Sequence, residues 1–207
     1  MKTILFQGDS ITDASRNKEM GNDCGKGYAQ FIKSTLGFEF PGKYTFLNRG
    51  INGNRSVDLY ARIKSDIINL KPDMMSILIG VNDVWKEFSG QEGVDAEKYF
   101  KIYSMLIEEI QSALPNVEIM ILEPFVLPGT ATVANWEGFH SEVYKRAEKS
   151  RAIAEQYNLV FVPLQEKFDE AVKLCPAEYW LLDGVHPTPA GHELIKREWL
   201  KAFEKMQ

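Results

Sequence analysis

A serine that follows an apolar segment near the start of this sequence is a candidate nucleophile. Ser10 lies in Gly8-Asp9-Ser10-Ile11-Thr12, and the run Ile4-Leu5-Phe6 precedes that segment by the single residue Gln7. If the run is a buried strand, Ser10 lies at its carboxyl end, where open α/β sheets place their ligand sites. Alone, Gly-Asp-Ser is more often a turn or a helix cap. A serine hydroxyl becomes a nucleophile only beside a general base, which an orienting group holds in place.

A candidate base and its orienting group come from the other end of the chain. Asp183-Gly184-Val185-His186 precedes the last predicted helix, with prolines at positions 187 and 189 stiffening the approach. A carboxylate three residues before a histidine can reach its Nδ1 and fix the tautomer. The Nε2 atom of His186 is then free to take the proton of Ser10. We predict a triad of Ser10, His186 and Asp183.

Two further segments follow predicted strands and could hold a developing negative charge. Gly53, in the segment Asn48–Asn54, permits positive φ just before a predicted helix, so its amide could point at an anion. Asn82, in Gly80-Val81-Asn82-Asp83, could donate a hydrogen bond from its side-chain amide. The simpler interpretations are a plain strand-to-helix turn for the first segment and an Asx turn or helix cap for the second.

Short apolar runs alternate with helical patterns along the chain, which predicts a doubly wound parallel sheet. Five strands favour a flavodoxin-like three-layer α/β/α sandwich over a barrel, with residues 1–207 as a single domain. The predicted strands are Thr3–Phe6, Tyr44–Leu47, Met74–Ile79, Val117–Leu122 and Leu159–Val162.

Helical periodicity and capping residues predict four long helices between and after these strands. They are Ser56–Leu70 with Ser56 as N-cap, Asp95–Ala113, about Gly138–Tyr157, and a last helix that Thr188 caps and Pro189 begins. Two long loops, Thr12–Gly27 and Glu123–Glu137, each follow a strand. We expect both to overhang the sheet edge that carries Ser10.

Composition excludes several classes of function. A net charge of −5 and a pI near 5.4 give no reason to expect a nucleic-acid surface. We find no apolar run long enough to cross a membrane, and the N-terminal segment turns polar too early for a signal peptide. Cys24 and Cys175 have no metal-binding or redox spacing, so we expect free thiols and a cytoplasmic protein. The three histidines are dispersed, so we expect no zinc site, and His140 and His192 are interpreted as solvent-facing or supporting groups.

Aromatic residues flank the candidate segments. Trp199 on the last helix is most simply a core residue. Four others could belong to the core or form a platform for sugar stacking: Trp85, Trp136, Tyr179 and Trp180. The surrounding loops are polar and offer no apolar lid, which suits a sugar better than a lipid.

The ordered blocks of this chain are similar to those of the SGNH hydrolases, the GDSL esterase/lipase family. The blocks are Gly-Asp-Ser near the start, Gly53, Gly-x-Asn-Asp, and Asp-x-x-His near the end. The resemblance implies the flavodoxin-like fold, Ser10 as nucleophile, His186 as base and Asp183 as its orienting group. It also implies an oxyanion hole made of the Ser10 and Gly53 amides and the Asn82 side chain, and a homo-oligomer.

Within that family, the chain looks most like the intracellular acetyl-xylooligosaccharide esterases. The similar stretches include Asn48–Asn54, Gly80-Val81-Asn82-Asp83-Val84-Trp85 and Val185-His186-Pro187. One departure is Leu182, which stands where such a sequence is expected to carry tryptophan, and we expect it to alter the acyl pocket rather than the catalytic residues. The expected function is that of a cofactor-free serine esterase that removes acetyl groups from carbohydrate hydroxyls.

Two alternatives remain open at this point. The same triad could serve a lysophospholipase or thioesterase, which would act on a different ester. A non-catalytic flavodoxin-like module that binds a nucleotide or flavin is the alternative outside enzymes. The first strand-to-helix connection has neither a GxGxxG nor a Walker pattern, which argues against that module.

Overall fold

Five apolar segments form one parallel sheet in the computed structural model, which describes residues 1–206. The strand order is β2-β1-β3-β4-β5, so the strand that leads to Ser10 lies inside the sheet. The predicted strands are confirmed with shifts of one or two residues at their ends. Their bounds are β1 Lys2–Gly8, β2 Tyr44–Asn48, β3 Met74–Leu78, β4 Glu118–Leu122 and β5 Val160–Val162.

Ten α-helices of the described residues surround the sheet. They are α1 Ser10–Asp13, α2 Tyr28–Glu39, α3 Ser56–Ala61, α4 Ile63–Asp66, α5 Val81–Gly90, α6 Ala96–Ala113, α7 Trp136–Gln156, α8 Gln165–Ala171, α9 Ala177–Trp180 and α10 Pro189–Met206. Two 3₁₀ turns, Ile68–Leu70 and Val133–Asn135, complete the elements. Among residues 1–206, no helix combines the length and apolarity that crossing a bilayer requires.

Alternate residues of the strands feed two separate apolar cores, one on each face of the sheet. Phe6 of β1 packs against Tyr28 of α2 and Trp199 of α10, with ring centroids 5.9 and 5.8 Å apart. Its neighbour Leu5 points to the other face and joins a core that includes Tyr103 of α6. Trp199 is fully buried, which confirms its predicted core position. The result is the predicted three-layer α/β/α arrangement.

The predicted helix from Ser56 to Leu70 is wrong as a single element, and so is its N-cap. Arg55 occupies the N-cap position, and its backbone N–H donates to the Asp58 carboxylate at 2.8 Å. Ser56 is instead the first residue of the helix, and its hydroxyl donates to Asp83. The helix breaks at Arg62, whose φ of −112° and ψ of 17° leave the helical region. Its guanidinium turns inward to the loop after β2 and the end of β1.

The other predicted helix ends agree closely with the structure. Asp95 caps α6, α7 begins two residues before its predicted start, and Thr188 Oγ1 accepts from the N–H of Gly191 in the first turn of α10. Two helices of ten or more residues, α2 and α5, were missed by periodicity. In α2 the exposed Phe38, directly after Gly37, disrupts the apolar stripe.

Candidate active site

Ser10 begins α1 one residue beyond the carboxyl end of β1, with Asp9 between them. Asp9 caps this short helix, because its Oδ1 accepts a hydrogen bond from the N–H of Ile11 at 2.9 Å. The Ser10 side chain is partly exposed, and its Oγ lies 3.1 Å from Nε2 of His186. Asp9 therefore caps the helix, and the hydroxyl of Ser10 is available to form a hydrogen bond with His186.

The loop before α10 brings Asp183 to the other side of the imidazole. Asp183 Oδ2 lies 2.7 Å from Nδ1 of His186, and Oδ1 accepts from the N–H groups of Val185 and His186 at 2.9 and 2.8 Å. Partial burial would raise the pKa of Asp183, but these hydrogen bonds and the nearby imidazole lower it below its usual value. An ionised Asp183 keeps the proton on Nδ1, which makes Nε2 the acceptor for the Ser10 hydroxyl.

The long loop after β4 supports the segment that carries Asp183. Leu127 N–H donates to Gly184 O at 2.9 Å, and Ala131 N–H donates to Asp183 O at 3.0 Å. The loop after β1 lies at the same edge, where Asn48 Nδ2 donates to the carbonyls of Thr12 and Cys24. The prediction that both long loops overhang the edge that carries Ser10 is confirmed.

Asn82 lies at the start of α5 and lines a cleft of about 250 Å³ together with Ser10 and His186. Its amide Nδ2 donates to the carbonyl of Asn54 at 3.1 Å, which aligns the side chain along the loop after β2. We call the cleft that Asn82, Ser10 and His186 line the Asn82 cleft. Asn82, Ser10 and His186 therefore meet in one space, as the sequence predicts.

Gly53 adopts a φ of +77° in the loop after β2, a conformation that L side chains rarely adopt. Its neighbour Asn52 lines the Asn82 cleft, and the next residue, Asn54, holds the Asn82 amide. The glycine thus lies between two residues that form or support the cleft, although the structure places no hydrogen bond from its own amide there. The positive φ predicted for this segment is confirmed.

A second cleft also includes Ser10 and His186 in its lining. It has a volume of about 390 Å³, and we call it the His192 cleft. Asp13, Lys18 and His192 line it, together with Asn52, Ser10 and His186. His192 is 9 % exposed, so its interpretation as a solvent-facing group is wrong, while a supporting role stays open.

Two buried carboxylates lie behind the site. Burial raises the pKa of Asp83 to about 7, although hydrogen bonds from Ser56 lower it. Burial also raises the pKa of Asp9 to about 7, against the opposing effects of the Ile11 N–H and of His186. Within residues 1–206, Asp9 Oδ2 has no hydrogen-bond partner. Both groups are poised to change protonation near neutral pH.

The guanidinium of Arg62 ties the loop after β2 to the end of β1. It donates to Arg49 O at 2.8 Å, to Asn54 Oδ1 at 2.8 Å and to Gly8 O at 3.2 Å. Sequence reasoning missed Arg62, Asp83 and His192. Only Asp83 carried a local signal, because it directly follows Asn82 in the Gly-x-Asn-Asp segment.

The four aromatic residues whose role the sequence leaves open lie in different parts of the structure. Trp85 lines the Asn82 cleft, with its ring centroid 5.7 Å from that of His186. Tyr179 and Trp180 line a different groove against α10, and Trp136 packs on His140 at 5.0 Å. Trp85 is therefore the one of the four placed beside Ser10 and His186.

Neither a disulfide nor a metal cluster is found in the described part of the chain. Cys24 and Cys175 are both free, and burial raises the pKa of the Cys24 thiol to about 11. No three His, Cys, Asp or Glu side chains of residues 1–206 converge as metal ligands would.

Comparison with known proteins gives one consistent family. The model of the GDSL-like lipase/acylhydrolase family matches residues 6–194. An acetylxylan esterase from Geobacillus stearothermophilus is 31 % identical over 207 residues, covering 96 % of this chain and 92 % of that protein. The crystal structure of Axe2, an acetylxylan esterase from the same organism, is 31 % identical with a TM-score of 0.87, covering 97 % of this chain and 93 % of that one.

Two further solved structures are similar along the whole chain. One, described as a GDSL-like lipase from Parabacteroides merdae, is 36 % identical with a TM-score of 0.92, covering 98 % of this chain and 95 % of that one. LAE5, an alpha/beta hydrolase from the metagenome of Lake Arreo, is 27 % identical with a TM-score of 0.89, covering 100 % and 96 % of the two chains. These matches confirm the predicted fold.

Mutant structures of Axe2 bear on particular residues. In that protein, catalytic mutants replace a serine, an aspartate and a histidine three positions after the aspartate with alanine. Another mutant replaces the tryptophan directly before that aspartate. The corresponding residue here, Leu182, is 66 % exposed and lines neither the Asn82 cleft nor the His192 cleft. The expectation that Leu182 alters the acyl pocket stays a prediction.

Proposed function

The chain belongs to the GDSL-like lipase/acylhydrolase family and is a carboxylic ester hydrolase, and from that premise we propose that it removes acetyl groups from carbohydrate hydroxyls. Acetylated xylooligosaccharides are the substrates we favour. The observation that carries the hydrolytic chemistry is the pair of contacts from Asp183 Oδ2 to His186 Nδ1 and from His186 Nε2 to Ser10 Oγ, at 2.7 and 3.1 Å. The Axe2 mutants support it, because the same three residue types are catalytic in that protein.

Acylation begins when Ser10 Oγ attacks the ester carbonyl carbon and His186 Nε2 takes the hydroxyl proton. A tetrahedral intermediate forms with a negative charge on the former carbonyl oxygen. Its collapse breaks the bond to the alcohol, which leaves with the proton that His186 held. Water then attacks the acetyl-serine with His186 again as base, which releases acetate and restores the Ser10 hydroxyl. Asp183 stabilises the imidazolium in both halves.

We assign the oxyanion to three donors: the backbone N–H groups of Ser10 and Gly53 and the side-chain amide of Asn82. Their support is the cleft that Asn82 shares with Ser10 and the positive φ of Gly53 between two cleft residues. Fixed donors of this kind act without reorganisation when charge develops, and removing one typically lowers kcat by about 10²- to 10³-fold.

The substrate assignment rests on the walls of the two clefts. Charged and amide side chains line much of both, among them Lys18, Asp13, Lys86 and Asn52. A long acyl chain would need a continuous apolar wall to be removed from water. A short acyl group on a polyhydroxylic alcohol fits these walls better, and the relative Axe2 is an acetyl-xylooligosaccharide esterase.

The decisive experiment compares acyl chains and then acceptors. p-Nitrophenyl acetate should have a higher kcat/KM than the butyrate and octanoate, and acetylated xylooligosaccharides should be hydrolysed better than lysophospholipid or acyl-CoA. Preference for the octanoate would contradict the acetylesterase assignment and favour the lysophospholipase or thioesterase alternative. A serine-directed organophosphate should label Ser10 in the wild type and leave Ser10→Ala unlabelled. Absence of labelling would favour the non-catalytic binding module.

We also propose that residues 1–207 act as one domain, in the cytoplasm and as a homo-oligomer. Free Cys24 and Cys175 support a reducing compartment. Light scattering coupled to size exclusion would test the assembly, with a monomeric mass contradicting it. Cell fractionation would test the location.

A further inference from the structure

The His192 cleft contains a histidine that the proposed chemistry does not use. His192 lies in the first turn of α10 and lines the same space as Ser10 and His186, yet only 9 % of it is exposed. Most buried polar atoms have a hydrogen-bond partner, so a ring nitrogen without one is unusual. The two nitrogens of His192 differ in this respect.

The ring of His192 is held in one orientation. The backbone N–H of Tyr28 donates to Nδ1 at 3.2 Å, and the Tyr28 ring stacks on the imidazole with centroids 6.4 Å apart. Gly27 allows this approach, because a Cβ on that residue would lie 2.6 Å from Cε1 of His192. The ring is therefore fixed by α2 before any ligand enters the cleft.

The hydrogen bond from Tyr28 also fixes the tautomer. Burial, helped by the nearby His186, lowers the pKa of His192 to about 4, so the ring is neutral at physiological pH. A neutral imidazole whose Nδ1 accepts a hydrogen bond carries its proton on Nε2. His192 is thus a fixed, uncharged donor.

The Nε2–H group of His192 is left for a ligand. Within the described chain this nitrogen atom has no hydrogen-bond partner, and the surrounding protein does not enclose it fully. His192 lines the His192 cleft, so this cleft is the space in which a ligand could meet the donor. An unpaired donor beside Ser10 gains a partner when a hydroxyl or carbonyl oxygen binds there.

We propose that the His192 cleft binds the alcohol half of the ester and that His192 Nε2–H donates a hydrogen bond to a hydroxyl of that alcohol. This inference rests on the proposed function and adds a specificity-determining residue to it. The cleft is the larger of the two that meet at Ser10, about 390 against 250 Å³, which suits the larger half of a sugar acetate.

The charges around the cleft select a neutral ligand. Lys18 Nζ lies 3.5 Å from Asp13 Oδ2, so the ammonium and the carboxylate offset each other. His192 adds no charge. An anionic alcohol half, such as a phosphate ester, would find no unopposed cation among these lining side chains, whereas a polyol hydroxyl can accept from Nε2–H.

Two substitutions separate the ligand donor from the structural acceptor. In His192→Asn, the amide oxygen can replace Nδ1 as acceptor for Tyr28 N–H, but no donor reaches the position of Nε2. In His192→Gln, the amide nitrogen can reach that position, but the Tyr28 N–H loses its acceptor. Three acetates supply the readout: an acetylated methyl xyloside, glycerol monoacetate, and p-nitrophenyl acetate, whose alcohol half has no further hydroxyl.

We expect His192→Asn to lower kcat/KM for the two polyol acetates about 3- to 10-fold more than for p-nitrophenyl acetate, through KM. In His192→Gln, the ratio of kcat/KM for the polyol acetates to kcat/KM for p-nitrophenyl acetate should stay closer to that of the wild type, while the Tm falls. If His192→Asn lost kcat/KM equally on all three acetates, so that this ratio stayed unchanged, the proposal would be overturned. If the wild type hydrolyses glycerol monoacetate but not the xyloside, the sugar assignment fails while the ratio for glycerol monoacetate still decides the role of His192.

Discussion

The carboxylate of Asp83 holds Ser56 by both its backbone and its side chain. The Ser56 N–H lies 3.1 Å from each carboxylate oxygen, and Ser56 Oγ donates to Oδ1 at 2.6 Å. Asp83 directly follows Asn82 on α5, and Ser56 follows the loop that contains Gly53. This one buried contact therefore sets the distance between two of the three proposed oxyanion donors.

The raised pKa of Asp83 predicts a stability that falls as the pH rises. The folded protein keeps a proton on this carboxyl up to about pH 7, whereas an unfolded chain releases it near pH 4. The contribution of the group is complete below pH 4 and is lost as the pH rises through 7. Asp9 acts in the same direction. We expect Asp83→Asn to reduce the decline of unfolding free energy between pH 5 and 7 by up to about 1.4 kcal/mol per pH unit.

Urea unfolding at pH 5, 6, 7 and 8 measures this effect. The amide of Asp83→Asn can still accept from Ser56, so folding should survive the substitution. Glu97→Gln on the exposed face of α6 is the matched control and should leave the slope at the wild-type value. Identical slopes for Asp83→Asn and the wild type would show that Asp83 does not titrate in this range.

Asn82→Ala should lower kcat for p-nitrophenyl acetate by about 10²- to 10³-fold with little change in KM. The reason is that the proposed role of the Asn82 amide is to donate a hydrogen bond to the oxyanion, which exists only after Ser10 attacks the ester. Asn116→Ala, an exposed asparagine in the turn before β4, serves as control and should keep wild-type kinetics. A normal kcat in Asn82→Ala would remove Asn82 from the oxyanion hole.

Asp183→Asn should lower kcat by on the order of 10⁴-fold, because an amide can hold His186 in the wrong tautomer. The Oδ1 contacts to the N–H groups of Val185 and His186 can persist, so we expect the loop to stay folded. Steady-state kinetics above pH 6 and circular dichroism together check both statements. Asp169→Asn, on the exposed face of α8, is the control. A loss below tenfold would contradict the role of Asp183.

Arg62→Met should lower Tm and kcat together. The substitution leaves the carbonyls of Arg49 and Gly8 and the Asn54 side chain without their charged donor, at a cost of about 3 kcal/mol or more. For a chain of this size that corresponds to a fall in Tm of roughly 6–12 °C. Arg197→Met removes an arginine that is 71 % exposed and should change neither quantity measurably. An unchanged kcat with a lowered Tm would restrict Arg62 to a structural role.

The parts of the fold that sequence predicts best are those that depend on neighbouring residues. Each strand is a short and mostly apolar run, and the contact of Asp183 with His186 spans three positions, so local patterns suffice. The break at Arg62 depends on Gly8, 54 residues away, and the orientation of His192 depends on Tyr28, 164 residues away. No periodicity encodes such distant partners, which is why the helix break and the buried histidine were missed.

The position of Ser10 and His186 in the chain has a consequence during protein synthesis. The two residues are separated by 176 positions, and α10, which follows His186, packs its Trp199 against Phe6 of the first strand. A ribosome therefore produces the hydroxyl before its histidine partner. A nascent chain that stops before His186 carries Ser10 without its proposed base, so hydrolysis in a cell awaits translation through His186.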